Sequence, residues 1–172
     1  MDGTAWAASA MVAARTRLEI AADNLANVST DGFRGSGARG FLSAAGVVID
    51  RVPLHAHGAL RHTGRSSDLA IVGGGAFRLR DARGVVVETR DGAFTRGADG
   101  KLRDDAGRVL IGTRLTHGSS VRSGYLEAPN VNAIGEMVQM LAAERSYESA
   151  EKVVVAIDQT RQKAASDVAK VS

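Results

Sequence analysis

A chain of 172 residues that is 44% hydrophobic but only 4% aromatic suits one domain with extensions, short of the large side chains that fill a rich core. It has no cysteine, which excludes disulfides and thiolate metal sites, and it has no run of about 18 apolar residues, which excludes a helical membrane span. The formal charge is +3, with 22 basic and 19 acidic residues interspersed, and the one loose basic cluster, residues 34–39, falls short of the stripe that nucleic acid requires.

The N-terminus, Met1-Asp2-Gly3-Thr4-Ala5-Trp6, has no basic leader region, and its apolar residues are periodic rather than continuous. It does not read as a cleavable secretory signal. Residues Thr4 to about Val28 show helical spacing, which predicts a helix roughly 37 Å long. Met11, Leu18 and Leu25 keep a strict seven-residue step. That is a short coiled-coil seam, a pattern that requires a partner helix. Ser29-Thr30-Asp31-Gly32 ends the helix, with Gly32 supplying the positive φ. Phe33 follows as a single large anchor, and the glycine-rich residues 34–46 read as loop or linker.

From residue 47 to about 124 the periodicity becomes two. Strands are expected at 47–52, 69–72, 76–80, 85–89, 93–95, 101–103 and 109–111. Turn signals recur every seven to ten residues, and Asp91-Gly92 and Asp99-Gly100 are the dipeptides that two-residue hairpins favour. Gly73-Gly74-Gly75 reads as a hairpin turn, because it lacks the lysine and the following helix of a phosphate loop. The segment reads as a small antiparallel β-rich module.

Pro129 precedes the second helix, which either Asn130 or Asn132 can cap. Ile134, Met137, Val138, Leu141, Tyr147, Val154 and Ile157 mark one broad apolar stripe, continuing to about residue 165 and spanning roughly 50 Å. The expected fold class is therefore α+β: long N- and C-terminal helices paired as an antiparallel coiled coil, with the β-rich module between them. The expected segments are 1–33, an assembly helix and its motif; 34–46, a linker; 47–124, the module; and 125–172, a second assembly helix.

Catalytic chemistry is hard to place. His55, His57 and His62 form H-x-H-x4-H, but no carboxylate or fourth ligand stands at a diagnostic spacing. Asp99, Asp104 and Asp105 miss the calcium-loop spacing. Ser119, Ser120 and His117 lack a nucleophile-elbow context. No enzyme, metal site or cofactor is expected. Asn24, Asn27, Asn130 and Asn132 stand at the ends of apolar helices. They either cap and turn the chain or also bond between subunits. Arg145, amid apolar residues, is either solvated or paired with an acid of a neighbouring subunit.

Asn24-Leu25-Ala26-Asn27-Val28-Ser29-Thr30-Asp31-Gly32-Phe33 resembles the N-terminal motif of bacterial flagellar rod and hook proteins. Gly124-Tyr125-Leu126-Glu127, Asn130-Val131-Asn132, Glu136-Met137-Val138, Met140, Arg145, Tyr147-Glu148 and Lys152-Val153 resemble the C-terminal motif of the same family. Between them, Gly58-Ala59-Leu60, Asp68-Leu69-Ala70-Ile71 and Arg90-Asp91-Gly92-Ala93-Phe94 are similar to the β-region of the proximal and distal rod proteins. The chain departs from that pattern in a shortened bridge between about Ile111 and Gly124, in Ala76-Phe77 for a double phenylalanine, and in Glu144 for a glutamine.

The resemblance implies a structural subunit of the basal-body rod, exported through the flagellar apparatus without a cleaved signal and assembled in the periplasm into the tubular shaft that carries torque to the hook. Its implied partners are copies of itself, other rod and hook proteins and the export apparatus. Nucleic acid and membrane insertion are not among them. The implied assembly interface is Met11, Leu18, Asn24, Leu25, Asn27, Phe33, Asn130, Asn132, Glu136, Met137, Leu141, Arg145 and Tyr147. The shortened bridge keeps open an alternative, a non-polymerising capping or regulatory module on the rod.

Overall fold

A computed structural model describes residues 3–44 and 46–171, with only the backbone of 168–171. Met1, Asp2, Ala45 and Ser172, which fall in the expected segments 1–33, 34–46 and 125–172, lie outside the described residues. The elements are α1 (Gly3–Ala26), β1 (Ser36–Ser43), β2 (Gly46–Pro53), β3 (Leu60–His62), β4 (Leu69–Val72), β5 (Gly75–Arg80), β6 (Val86–Thr89), β7 (Thr95–Arg96), β8 (Leu102–Arg103), β9 (Val109–Leu115), β10 (Ser120–Ser123), β11 (Tyr125–Glu127) and α2 (Ala133–Val171). They form two compact units. The terminal unit holds residues 1–25, 36–53 and 132–172, and the central unit holds 26–35 and 54–131.

In the terminal unit, α1 buries a face of mostly small residues: Ala7, Ala13, Ala14, Ile20 and Ala21, with Asn24. Alanine at these positions favours the helix and lets neighbours approach closely. β1 and β2 form an antiparallel hairpin in register from Ser36↔Pro53 to Ser43↔Gly46. The hairpin is held on α1 at several points. Asn24 donates from Nδ2 to the Ser36 carbonyl (2.8 Å) and accepts from the Ser36 N–H (2.9 Å). Ser9 Oγ accepts the Val47 N–H (3.2 Å), and Arg51 bonds Asp23 (2.6 Å).

This hairpin corrects the expectation of a linker at 34–46. Glycines and small residues gave residues 36–43 little strand signal of their own. The segment pairs because the β-branched run of β2 lies opposite and Asn24 fixes its first residue.

The expected coiled coil is also corrected: α1 and α2 are not paired as one. Met11, Leu18 and Leu25 are only half-buried, and the buried face of α1 is the alanine face instead. On α2, among residues with described side chains, only Ala143 and Ala150 are buried. Among the described residues, the two backbones keep no sustained Cα approach within 8 Å such as the paired strands show. An open cleft of about 440 Å³ lies where Leu18 and Tyr147 would have to interlock. Knobs-into-holes packing leaves no such gap. A seven-residue apolar step thus meets only half of what a seam requires; the facing helix must offer matching holes.

The central unit is all β. Its main sheet has the order β6-β5-β9-β8-β7, and two further pairs are β10-β4 and β11-β3. Ile71, Phe77, Leu79 and Phe94 form the core, flanked by Leu69, Leu102 and Leu110. The Phe77 and Phe94 rings meet edge to face at 5.3 Å. Asp99-Gly100 turns β7 into β8 as expected, with Gly100 at φ 76°. The other two glycine signals do not mark hairpins. The strands either side of Gly73-Gly74-Gly75 join different sheets, so that run is a crossing point rather than a hairpin. Asp91-Gly92 lies between β6 and β7, which do not pair with each other. Gly92 is needed for close approach: its carbonyl accepts the Leu69 N–H (3.0 Å), and a Cβ there would collide with the Leu69 carbonyl oxygen.

Candidate assembly surface

The second helix begins at Asn132. Its Oδ1 accepts the N–H groups of Ile134 (2.9 Å) and Gly135 (3.1 Å), and its carbonyl takes the first intrahelical bond from Glu136 (3.0 Å). That is an N-cap. Glu136 in the first turn also complements the positive end of the helix. Asn132→Ala is expected to cost about 1 kcal/mol and to fray the first turn, seen as faster amide exchange at residues 133–136.

From this cap α2 runs 39 residues, roughly 58 Å. Ile134, Met137, Val138 and Leu141 follow three-to-four spacing on one face and are 74%, 51%, 57% and 56% exposed. Scattered exposed apolar residues are ordinary, but a contiguous stripe at helical spacing marks an interaction surface. Tyr147 is 40% exposed and lines the cleft that also holds Leu18. Arg145 is exposed and makes no ion pair among the described residues; it edges a second cleft with Ala10, Ser149 and Val153.

The other residues chosen from sequence fall differently. Asn130, in the central unit, accepts the Gly35 N–H at Oδ1 (2.8 Å) and donates from Nδ2 to the Ala56 carbonyl (2.8 Å), while its own N–H donates to the Phe33 carbonyl (3.3 Å). It sews the end of the N-terminal motif to the start of the β-region. Asn27 opens the turn after α1, its carbonyl accepting the Thr30 N–H (3.0 Å). Phe33 is half-buried in the central unit. The side chains of Asn24, Asn130 and Asn132 are therefore all engaged inside the chain.

One cluster had not been singled out. Arg90 and Glu127 are 7% and 2% exposed and bond through Arg90 Nε and Glu127 Oε2 (2.7 Å). Arg90 also donates to the carbonyls of Ile71 (2.9 Å), Gly73 (2.9 Å) and Gly75 (3.2 Å). Glu127 Oε1 accepts the Gly58 N–H (3.2 Å), and the Glu127 carbonyl accepts the Gly32 N–H (2.6 Å). Gly32 has φ 71°, and a Cβ there would strike the Arg90–Asp91 peptide. His57 Nδ1 faces both Arg34 (2.8 Å) and Arg90 (3.2 Å). A buried guanidinium thus satisfies three carbonyls around the glycine run and one carboxylate, so the crossing point is a hub of the central unit.

Residues 6–34 match the family model described as Flagella basal body rod protein, and residues 122–167 match Flagellar basal body rod FlgEFG protein C-terminal. The flagellar basal-body rod protein FlgG of Agrobacterium fabrum is 25% identical over 252 aligned positions, covering 92% of this chain and 96% of the relative. The chain belongs to the flagellar rod and hook protein family. The alignment to that relative is longer than the chain, so the relative carries segments that are absent here. The flagellar hook protein FlgE of Brucella abortus is 31% identical over 80% of this chain, and the rod protein FlgF of Mesorhizobium japonicum 35% over 64%. The chain spans 37% and 49% of those two relatives.

This is a family of structural, non-enzymatic proteins, and the rod and hook motifs acquire a physical reading from it. Arg90 and Glu127 both lie in runs that carry the family resemblance. The three histidines separate: His57 joins this hub, while His62 stacks edge-on against Tyr125 at 4.9 Å.

Burial raises the Asp91 carboxyl above its ordinary value; the Ala93 N–H bond opposes this and the Asp31 charge adds to it. A carboxyl whose folded pKa exceeds its unfolded one stabilises the fold below the unfolded value, and that contribution is lost as pH rises through the folded value. Asp91→Asn keeps an acceptor for the Ala93 N–H. It is expected to raise the thermal midpoint at pH 7 and to lose that advantage below about pH 4.

Proposed function

We propose that this chain is a structural subunit of the flagellar basal-body rod, polymerising through its terminal helices into a periplasmic shaft that carries torque to the hook. The observation that carries the reading is the exposed stripe Ile134, Met137, Val138 and Leu141 on a capped, 39-residue helix. Such a helix gains most of its stability from packing, so burial of the stripe between copies couples assembly to helix order. Asn24, Asn130 and Asn132 then act by holding the backbone frame from which the assembly helices spring. Delivery through the flagellar export apparatus, and contact with other rod and hook proteins, follow from the same reading.

The match to hook proteins at 31% identity favours a second position, in the hook. Immunogold labelling of purified hook–basal bodies with antibody to the central unit separates the two. Label confined to the rod is expected; label along the hook would move the subunit there.

A further inference from the structure

Every copy carries an exposed apolar projection and an unfilled apolar cleft on different surfaces of the terminal unit. In the β1–β2 hairpin, Gly40 faces α1, since a Cβ built there would lie 3.5 Å from Arg17 Nη2. Arg39 and Phe41, one residue either side, therefore point away from α1. Their cross-strand partners Asp50 and Val48 share that outward face. Phe41 is 46% exposed, and Arg39 and Asp50 are exposed with no ion pair among the described residues. The cleft of about 440 Å³ between the helices has Leu18, Ala143 and Tyr147 along its apolar wall and Arg15, Glu144 and Glu148 at its rim. Glu144 and Glu148 likewise have no ion pair among the described residues, whereas Arg15 is bonded to Glu19 (2.9 Å).

The geometry points to docking of the hairpin face of one copy, with Phe41 leading, into the α1–α2 cleft of a second copy. The charges agree in sign: Arg39 beside Phe41 meets Glu144 and Glu148, and Asp50 meets Arg15. The cleft is large enough to take an aromatic side chain with a neighbour. Because the two surfaces differ, the contact is heterologous and each docked copy offers a fresh hairpin and a fresh cleft. Repetition of such a contact gives an open filament rather than a closed dimer. The inference rests on the rod-subunit reading and names the contact that would propagate it.

The natural chain has no cysteine, so single cysteines report cleanly. Phe41→Cys and Tyr147→Cys full-length proteins, mixed and treated with a short bismaleimide, are expected to yield cross-linked mixed dimers, while either protein alone yields none. Cross-linking no greater in the mixture than in the separate proteins would overturn the contact. Phe41→Glu, at an exposed site that leaves the monomer folded, is expected to raise the critical concentration for filaments about tenfold or more. Arg39→Glu should weaken assembly, and Glu148→Arg in the same chain should restore it. If wild-type protein forms filaments and Phe41→Glu forms them at the same concentration, this contact is wrong and the rod reading stands. If wild-type protein forms none, the rod reading itself falls.

Discussion

Glu127→Ala is expected to destabilise the central unit by about 3–5 kcal/mol, because it leaves the Arg90 guanidinium buried without its carboxylate. The cost comes from the partner left behind. Arg90 is 7% exposed, and its remaining partners are the Ile71, Gly73 and Gly75 carbonyls and His57 Nδ1, none of them an anion to offset it. Arg90→Ala should be at least as damaging, since it orphans Glu127 and three carbonyls together. The double variant should cost clearly less than the sum of the singles, because each already breaks the shared pair. Urea unfolding monitored at the central unit measures all three. A Glu127→Ala midpoint equal to that of wild type would show that the pair is not the hub described here.

Replacing Leu141 with lysine is expected to have the opposite profile. Leu141 is 56% exposed in the chain, so folded stability should change by no more than about 0.5 kcal/mol. Assembly should suffer far more, because a charge then sits in the middle of the stripe formed by Ile134, Met137 and Val138. A shift of at least about tenfold in the concentration at which light scattering rises is the expected result. The same substitution at Val85, 55% exposed and in the central unit rather than on α2, serves as a control for general charge effects.

The two substitutions follow the line between what was legible in the sequence and what was not. Helices showed clearly. Their periodicity was long, and Asn132 was one of two candidates for a cap it does form. Asp99-Gly100 behaved as a hairpin turn because the strands it joins are sequence neighbours in one sheet. Asp91-Gly92 and the triple glycine failed as turn signals because their glycines serve close approach and chain crossing, needs set by residues far along the chain: Leu69 for one, Arg90 for the other. β1 was invisible because its order is lent by β2 and Asn24. The coiled-coil expectation failed for a related reason. The step from Met11 to Leu18 to Leu25 is real, but whether a facing helix interlocks with it is decided by the other helix. α2 instead offers alanines at 143 and 150 and turns Ile134, Met137, Val138 and Leu141 outward. The hub was missed because a lone arginine and a lone glutamate 37 residues apart carry no periodic signal.

The most direct test of the central claim is amide hydrogen exchange of the full-length chain across a concentration series. If α2 is the assembly surface, exchange at residues 134–157 slows as concentration passes the assembly threshold, while the central unit exchanges at an unchanged rate. Exchange in α2 that is independent of concentration in samples shown to be assembled would contradict it.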